Sequence, residues 1–159
     1  MKKLKEHKGA AAVEFALVLI PLILLVFGAV EFGVLLYNKQ VITNASREGA
    51  RAGIVYSSLN GVPLDRLPDK GVICAATYDP QNPQSIDCVV KHYVLNRMIT
   101  FGAQNDPPET EVTGYNPKAL FGQDLAVKVT YNYSFLVIPT FITGVNDLPI
   151  SATTVMKFE

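Results

Sequence analysis

Residues 10–37 read AAAVEFALVLIPLILLVFGAVEFGVLLY, an almost continuous apolar stretch with one carboxylate, Glu14, near its start. No residue between Glu14 and Glu31 is charged. On a helix these two acids lie ~26 Å apart, close to the ~30 Å thickness of a bilayer's hydrocarbon core. The stretch therefore predicts a membrane-spanning helix over about residues 10–37, with each carboxylate near a membrane interface.

Glu14 is the unusual residue of this helix. A carboxylate in the middle of a bilayer costs about 2.5–3.5 kcal/mol on insertion scales, and one near the end of the span costs less. An ordinary membrane anchor has no reason to carry it, so another group is expected to recognise or neutralise it. Pro21 predicts a kink or local loosening, which is either tolerated, as in many membrane helices, or used when the helix changes surroundings.

A basic leader, MKKLKEHKG, precedes the apolar stretch. Four lysines against one glutamate give residues 1–9 a charge of +3, so residues 10–159 carry −3 in a chain of zero formal net charge. Positive charge before an apolar helix predicts the N-terminus inside and the C-terminal part outside the membrane. Residues 57–159 contain no basic patch, which argues against nucleic acid as a partner.

The segment after the apolar stretch stays helical but becomes polar. Small and apolar residues recur there at helical spacing and form one face suited to close packing: Leu35, Ile42, Ala45, Gly49, Ala52 and Tyr56. We therefore expect one long helix over residues 10–56. Residues 57–159 are enough for one small domain with its own core.

Within this domain, residues 57–88 are rich in turn residues and residues 89–101 predict an amphipathic helix, with Ser85 or Asp87 as its cap. Residues 124–134 alternate strictly between apolar and polar, which predicts a strand with one buried face. Further strands are expected at 111–113 and 148–157. The predicted fold class is α+β, with the long helix packed on a small antiparallel sheet together with a second short helix.

The chain has two cysteines, Cys74 and Cys88. If the domain lies outside the cytoplasm, a disulfide between them is the default interpretation, and a loop of this size contributes roughly 3 kcal/mol in the chain-entropy model. Two free thiols, or a metal site built from both cysteines and His92, are the alternatives. No fourth metal ligand is evident.

Catalytic signatures are missing from the sequence, which has no Gly-rich phosphate loop, zinc signature or nucleophile elbow. His92 is interpreted as a helix-surface histidine. Asp79 and Asp87 both lie in the loop between the cysteines, but their spacing fits no calcium-binding loop. We therefore predict no enzymatic activity, no cofactor and no metal.

Residues 135–142, FLVIPTFI, form a strongly apolar connection that Pro139 prevents from continuing a central strand. Its side chains either complete the core against the long helix or contact a partner protein. If any partner contact lies in the globular domain, the candidate residues are Phe135, Ile138 and Phe141.

The junction KGAAAVEF, residues 8–15, resembles the site cut by prepilin peptidases in type IV pilins and their relatives. A glycine ends the charged leader, and a glutamate follows at the head of the apolar helix. The resemblance implies cleavage between Gly9 and Ala10, which makes Glu14 the fifth residue of the mature protein. Phe15 stands where major pilins of the tight-adherence system often have tyrosine.

Three longer segments resemble the TadE-like family of pseudopilins, the minor pilins of tight-adherence pilus systems. They are GAAAVEFALVLIP from residue 9, FGAVEFG from residue 27 and TNASREGAR from residue 43. The resemblance implies an assembly protein of the inner membrane with its C-terminal domain outside the cytoplasm. The implied partners are the prepilin peptidase, other pilins and pseudopilins, the inner-membrane assembly platform and membrane lipid.

The role implied for Glu14 is docking. Once the leader is removed, Ala10 gains a free amine, which in a filament can pair with Glu14 of the next subunit and offset the cost of a buried carboxylate. A stand-alone bitopic protein with an exported ligand- or protein-binding domain is the alternative. That alternative gives no reason for the spacing between Gly9 and Glu14, and a secreted protein with an ordinary signal peptide does not fit the long apolar stretch.

Overall fold

A computed structural model describes residues 7–59, 85–100, 107–114, 122–135 and 147–158. It confirms the α+β class, with one long helix, one short helix and a three-stranded antiparallel sheet. In chain order the elements are α1 (His7–Leu59), α2 (Ile86–Leu95), β1 (Glu109–Thr113), β2 (Asp124–Ser134) and β3 (Asp147–Lys157).

The central strand is β2, which pairs with β1 on one side and β3 on the other. Its predicted alternation is confirmed, because the inward side chains are all buried: Leu125, Val127, Val129, Tyr131 and Tyr133. The outward face is polar and includes an ion pair of 3.0 Å between Lys128 and Glu111 of β1. One face of the sheet thus faces the core and the other is exposed, as is common for antiparallel sheets.

The second half of α1 covers the inner face of the sheet. The predicted helical face is confirmed at Ile42 and Ala45, which are fully buried, and at Ala52, which is nearly so. Leu35 is partly buried against the core, and the side chain of Tyr56 lies outside the described residues. Helix α1 continues through Pro21 as one uninterrupted helix. The Ser46 hydroxyl lies 2.7 Å from that of Thr154 on β3, which adds a polar contact to this apolar interface.

Two glycines of α1 allow α2 and the sheet to approach closely. A Cβ atom on Gly49 would lie 2.7 Å from Cγ2 of Val90, and one on Gly53 would lie 2.6 Å from Cδ2 of Leu125. Both distances are too short for carbon atoms, so a side chain at either position would force its neighbour, Val90 or Leu125, to shift.

Helix α2 begins earlier in the chain than the helix predicted over residues 89–101, and it is shorter. It begins after Ser85, which is one of the two residues expected to cap it. The Ser85 hydroxyl accepts a hydrogen bond of 3.1 Å from the Cys88 amide. It ends at Leu95 because the chain beyond it bonds to Asn38 of α1. The Asn38 side-chain amide donates a hydrogen bond of 3.0 Å to the Ile99 carbonyl and accepts one of 3.1 Å from the Ile99 amide. A sequence pattern cannot show this, because the competing bonds come from a residue far away in the chain.

We expect Gly49→Val to lower the free energy of unfolding by about 2–3 kcal/mol, because the β-branched side chain overpacks the contact with Val90. Thermal melting of the detergent-solubilised protein measures this. Gly33→Val is the matched control, since a Cβ atom on Gly33 meets no atom within 4 Å. Equal melting temperatures for the two variants would contradict the close approach.

Candidate assembly site

The first half of α1 has no described protein around it. None of the residues from 9 to 30 is buried, and its large side chains are widely exposed, for example Phe15 at 66% and Leu25 at 69%. Within the described residues, α1 is the one helix long and apolar enough to cross a membrane, with a mean hydropathy of 2.7 in its most apolar window. Residues 10–30 span ~31 Å on a helix, about the thickness of a bilayer's hydrocarbon core.

Glu14 lies near the start of this exposed apolar segment. Its side chain is exposed, and the described residues give it neither a hydrogen bond nor an ion pair. Gly9 and Ala10 are exposed as well, and the space around Gly9 is open. The fold therefore leaves these three residues accessible to groups from another molecule.

Glu31 marks the end of the exposed segment. Its side chain is only 3% exposed, and its Oε1 accepts a hydrogen bond of 2.5 Å from the hydroxyl of Tyr133 on β2. The sequence pattern predicts a position near a membrane interface for Glu31 and does not predict this contact. A signal was present, because Glu31 precedes Leu35 by one helical turn and so continues the small, apolar face of α1.

The environment of Tyr133 favours its neutral form. Burial raises the pKa of the Tyr133 phenol well above its ordinary value, and the hydrogen bond to the nearby Glu31 carboxylate raises it further. A phenolate at this position would lose solvent and face a carboxylate, and both effects oppose ionisation. The hydroxyl of Tyr133 thus remains a hydrogen-bond donor throughout the neutral pH range.

Three consecutive residues of α1 beyond Glu31 form hydrogen bonds to the backbone of the domain. Tyr37 donates a hydrogen bond of 2.9 Å to the Arg97 carbonyl, Asn38 holds Ile99, and Lys39 donates to the carbonyl of Ser151 on β3. The sequence pattern indicates only that the helix becomes polar at this point. It does not predict these hydrogen bonds, because their backbone acceptors lie about 60 and 110 residues away in the chain.

The predicted disulfide falls partly outside the described residues. Cys88 is buried in the first turn of α2, at 2% exposure. Cys74 lies outside the described residues, so the pairing stays a prediction. Within the described residues no group of three or more histidine, cysteine or acidic side chains is placed to hold a metal ion.

Two of the candidate metal ligands, Asp87 and His92, make other contacts. The carboxylate of Asp87 lies 2.6 Å from the Lys91 ammonium one helical turn later, and Asp87 is mostly buried. The ring of His92 lies on the exposed side of α2, with Nε2 2.9 Å from the Asn96 amide.

Of the three candidate partner contacts, the structure describes Phe135. Its half-buried side chain packs against the core, and its ring meets that of Tyr133 edge-on at a centroid distance of 5.8 Å. This packing favours the core interpretation for Phe135. Ile138 and Phe141 lie outside the described residues, and their role stays a prediction.

Comparison with known proteins agrees with the resemblance seen in the sequence. Residues 9–51 match the family model described as TadE-like protein. The matched residues lie on α1 and include Glu14, Glu31 and Asn38. No curated protein and no solved structure matches the chain significantly.

We expect Tyr133→Phe to lower the free energy of unfolding by roughly 1.5–3 kcal/mol, since it removes a buried hydrogen bond to an acidic side chain. Chemical denaturation in detergent measures this. Tyr93→Phe serves as control, because phenylalanine keeps an aromatic ring beneath the Arg97 guanidinium, which lies 4.0 Å from the ring centroid. Equal losses in the two variants would mean that the hydrogen bond to Glu31 contributes nothing.

Comparison of the wild type with Tyr133→Phe also tests how the contribution of Tyr133 to stability depends on pH. The folded-state pKa of Tyr133 is raised above the unfolded value of about 10, so its contribution is complete below that pH and is lost as the pH rises through the folded pKa. The difference in stability between wild type and Tyr133→Phe should therefore be constant around neutrality and shrink above pH ~10. A difference that grows with pH would contradict the assigned direction.

Proposed function

We propose that this protein is a pseudopilin, or minor pilin, of a tight-adherence pilus. It is processed by a prepilin peptidase and takes part in pilus assembly at the inner membrane. The role is structural rather than catalytic. The observation that carries the proposal is the exposed carboxylate of Glu14 within an exposed apolar segment, inside the residues that match the family.

The exposed segment explains how one helix serves two surroundings. In the membrane its side chains contact lipid, and in a pilus they contact the same segment of other subunits. Because the described part of the domain covers α1 only from Glu31 onward, the apolar residues before it remain available in both states. This arrangement supports assembly by side-by-side packing of helices without unfolding of the domain.

Removal of the leader, residues 1–9, creates the second charge that Glu14 needs. The new amine of Ala10 and the Glu14 carboxylate of a neighbouring subunit form an ion pair inside the helix bundle. A paired charge costs far less to bury than a single one, so the pair sets the register of one subunit against the next.

The proposed topology follows from the leader and α1. The basic leader lies inside, and the domain of residues 57–159 lies outside the cytoplasm, where a disulfide between Cys74 and Cys88 forms readily. The predicted span of residues 10–37 is longer than the exposed segment, since Val34 and Leu35 pack against the domain core. We infer that residues 10–30 form the part within the hydrocarbon.

Processing is tested by the mass of the mature protein. Co-expression with the matching prepilin peptidase should give protein that begins at Ala10, whereas Gly9→Val should keep the leader because the bulkier residue precedes the cut. Ala12→Val, two residues beyond the new terminus, is the control and should be processed. Intact Met1 in the wild type under these conditions, or a cut near Gly28, would refute the assignment.

Docking is tested by Glu14→Ala. The variant should insert into the membrane at least as well as the wild type, because an apolar residue replaces an acid. We expect it to lose co-purification with other pilins and to reduce the number of pili seen by electron microscopy. Glu48→Ala removes an exposed acid from the domain half of α1 and should leave both readouts unchanged. Normal piliation with Glu14→Ala would favour the stand-alone bitopic protein.

A further inference from the structure

One end of the domain carries exposed apolar side chains beside the exposed segment of α1. Leu148 at the start of β3 is 37% exposed, and Ile99 after α2 is 40% exposed. Tyr37 of α1 is 45% exposed and is bonded to the segment that leads from α2 to Ile99. We call Tyr37, Ile99 and Leu148 the basal surface.

The sheet fixes the height of Leu148 along α1. Leu148 is the partner of Tyr133 in the ladder between β2 and β3, and Tyr133 is bonded to Glu31. Glu31 is the first buried residue after the exposed segment of residues 9–30. Leu148 therefore lies at the level where the exposed segment ends.

Helix α2 brings Ile99 toward the same level. Val90 lies against Gly49, whereas Ile99 further along is held by Asn38, so α2 runs antiparallel to α1 and its C-terminal end faces the exposed segment. Asn38 is seven residues, or ~10 Å, beyond Glu31, and helix side chains lean toward the N-terminus. The headgroup layer extends roughly 5–8 Å beyond the hydrocarbon, so Ile99 lies at its outer margin.

We propose that the basal surface contacts the headgroup layer of the bilayer that residues 10–30 cross. This inference rests on the membrane placement of α1 in the proposed function. The surface is continuous with the exposed segment, because α1 passes from that segment into the domain without a break. The domain then stands directly on the membrane, and no linker separates the two.

The chemistry of the basal surface fits a lipid interface. Tyrosine is enriched at membrane interfaces, where its ring lies among the headgroups. Leu148, at the level where the exposed segment ends, gains from partial burial at the boundary with the acyl chains, and Ile99 contacts the outer part of the headgroup layer. Among the described residues at this end, Arg97 and Asp147 are exposed and carry opposite charges. The contact is therefore expected on a zwitterionic membrane, without a requirement for anionic lipid.

Single tryptophans test the contact, because the chain has none. The full-length protein is reconstituted in phosphatidylcholine vesicles with bromine atoms near the headgroup end or near the tail end of the acyl chains, and fluorescence quenching is measured. Leu148→Trp and Ile99→Trp report on the basal surface. Val155→Trp, also exposed, is the matched control near the opposite end of the sheet. Leu22→Trp, in the middle of the exposed segment, reports on the span.

We expect quenching by headgroup-end bromine to be several-fold greater at positions 148 and 99 than at position 155, while position 22 is quenched by tail-end bromine. Quenching at position 22 with equal, weak quenching at 148, 99 and 155 would overturn the basal contact and leave the span intact. An unquenched position 22 would overturn the span, and with it both the proposed function and this inference. The two basal probes lie on different elements, so failure of one variant to fold leaves the other to decide.

Discussion

The hydrogen bond between Tyr133 and Glu31 marks the place where α1 changes surroundings. Before Glu31 the helix has apolar side chains with no described protein to bury them, and after it the same helix forms one wall of a small domain. An acidic side chain within an apolar helix is costly unless another group satisfies it. The hydroxyl on β2 satisfies Glu31, and this contact aligns the sheet with the end of the exposed segment.

The two acids of the apolar helix therefore have different physical roles. Glu31 is satisfied inside its own chain by a residue about 100 positions later. Glu14 is exposed and bonds to none of the described residues. The free-energy cost of its carboxylate in an apolar segment must therefore be offset by groups outside this chain, at the membrane interface or on another subunit. The distinction supports an assembly role for Glu14 and a positioning role for Glu31.

Close packing of the domain depends on positions of α1 without a side chain as well as on polar side chains of α1. Gly49 and Gly53 leave room for Val90, Ile86 and Leu125, so α2 and the sheet lie against the same stretch of helix. Asn38 and Lys39, beyond Glu31, form hydrogen bonds to the backbone of Ile99, which follows α2, and of Ser151 on β3. Small residues set the distance between elements, and side-chain hydrogen bonds set their alignment.

The sequence by itself determined the long apolar helix, the α+β class and strand β2, because hydrophobic periods of 3.6 and 2 are local properties of the chain. The family resemblance over residues 9–51 was also legible there, since it depends on local motifs. Only the tertiary structure decided that Glu31 is buried, that α2 ends at Leu95 and that Tyr37 bonds to Arg97. Each of these depends on a partner far away in the chain, and a local pattern carries no information about which distant group will satisfy a polar atom.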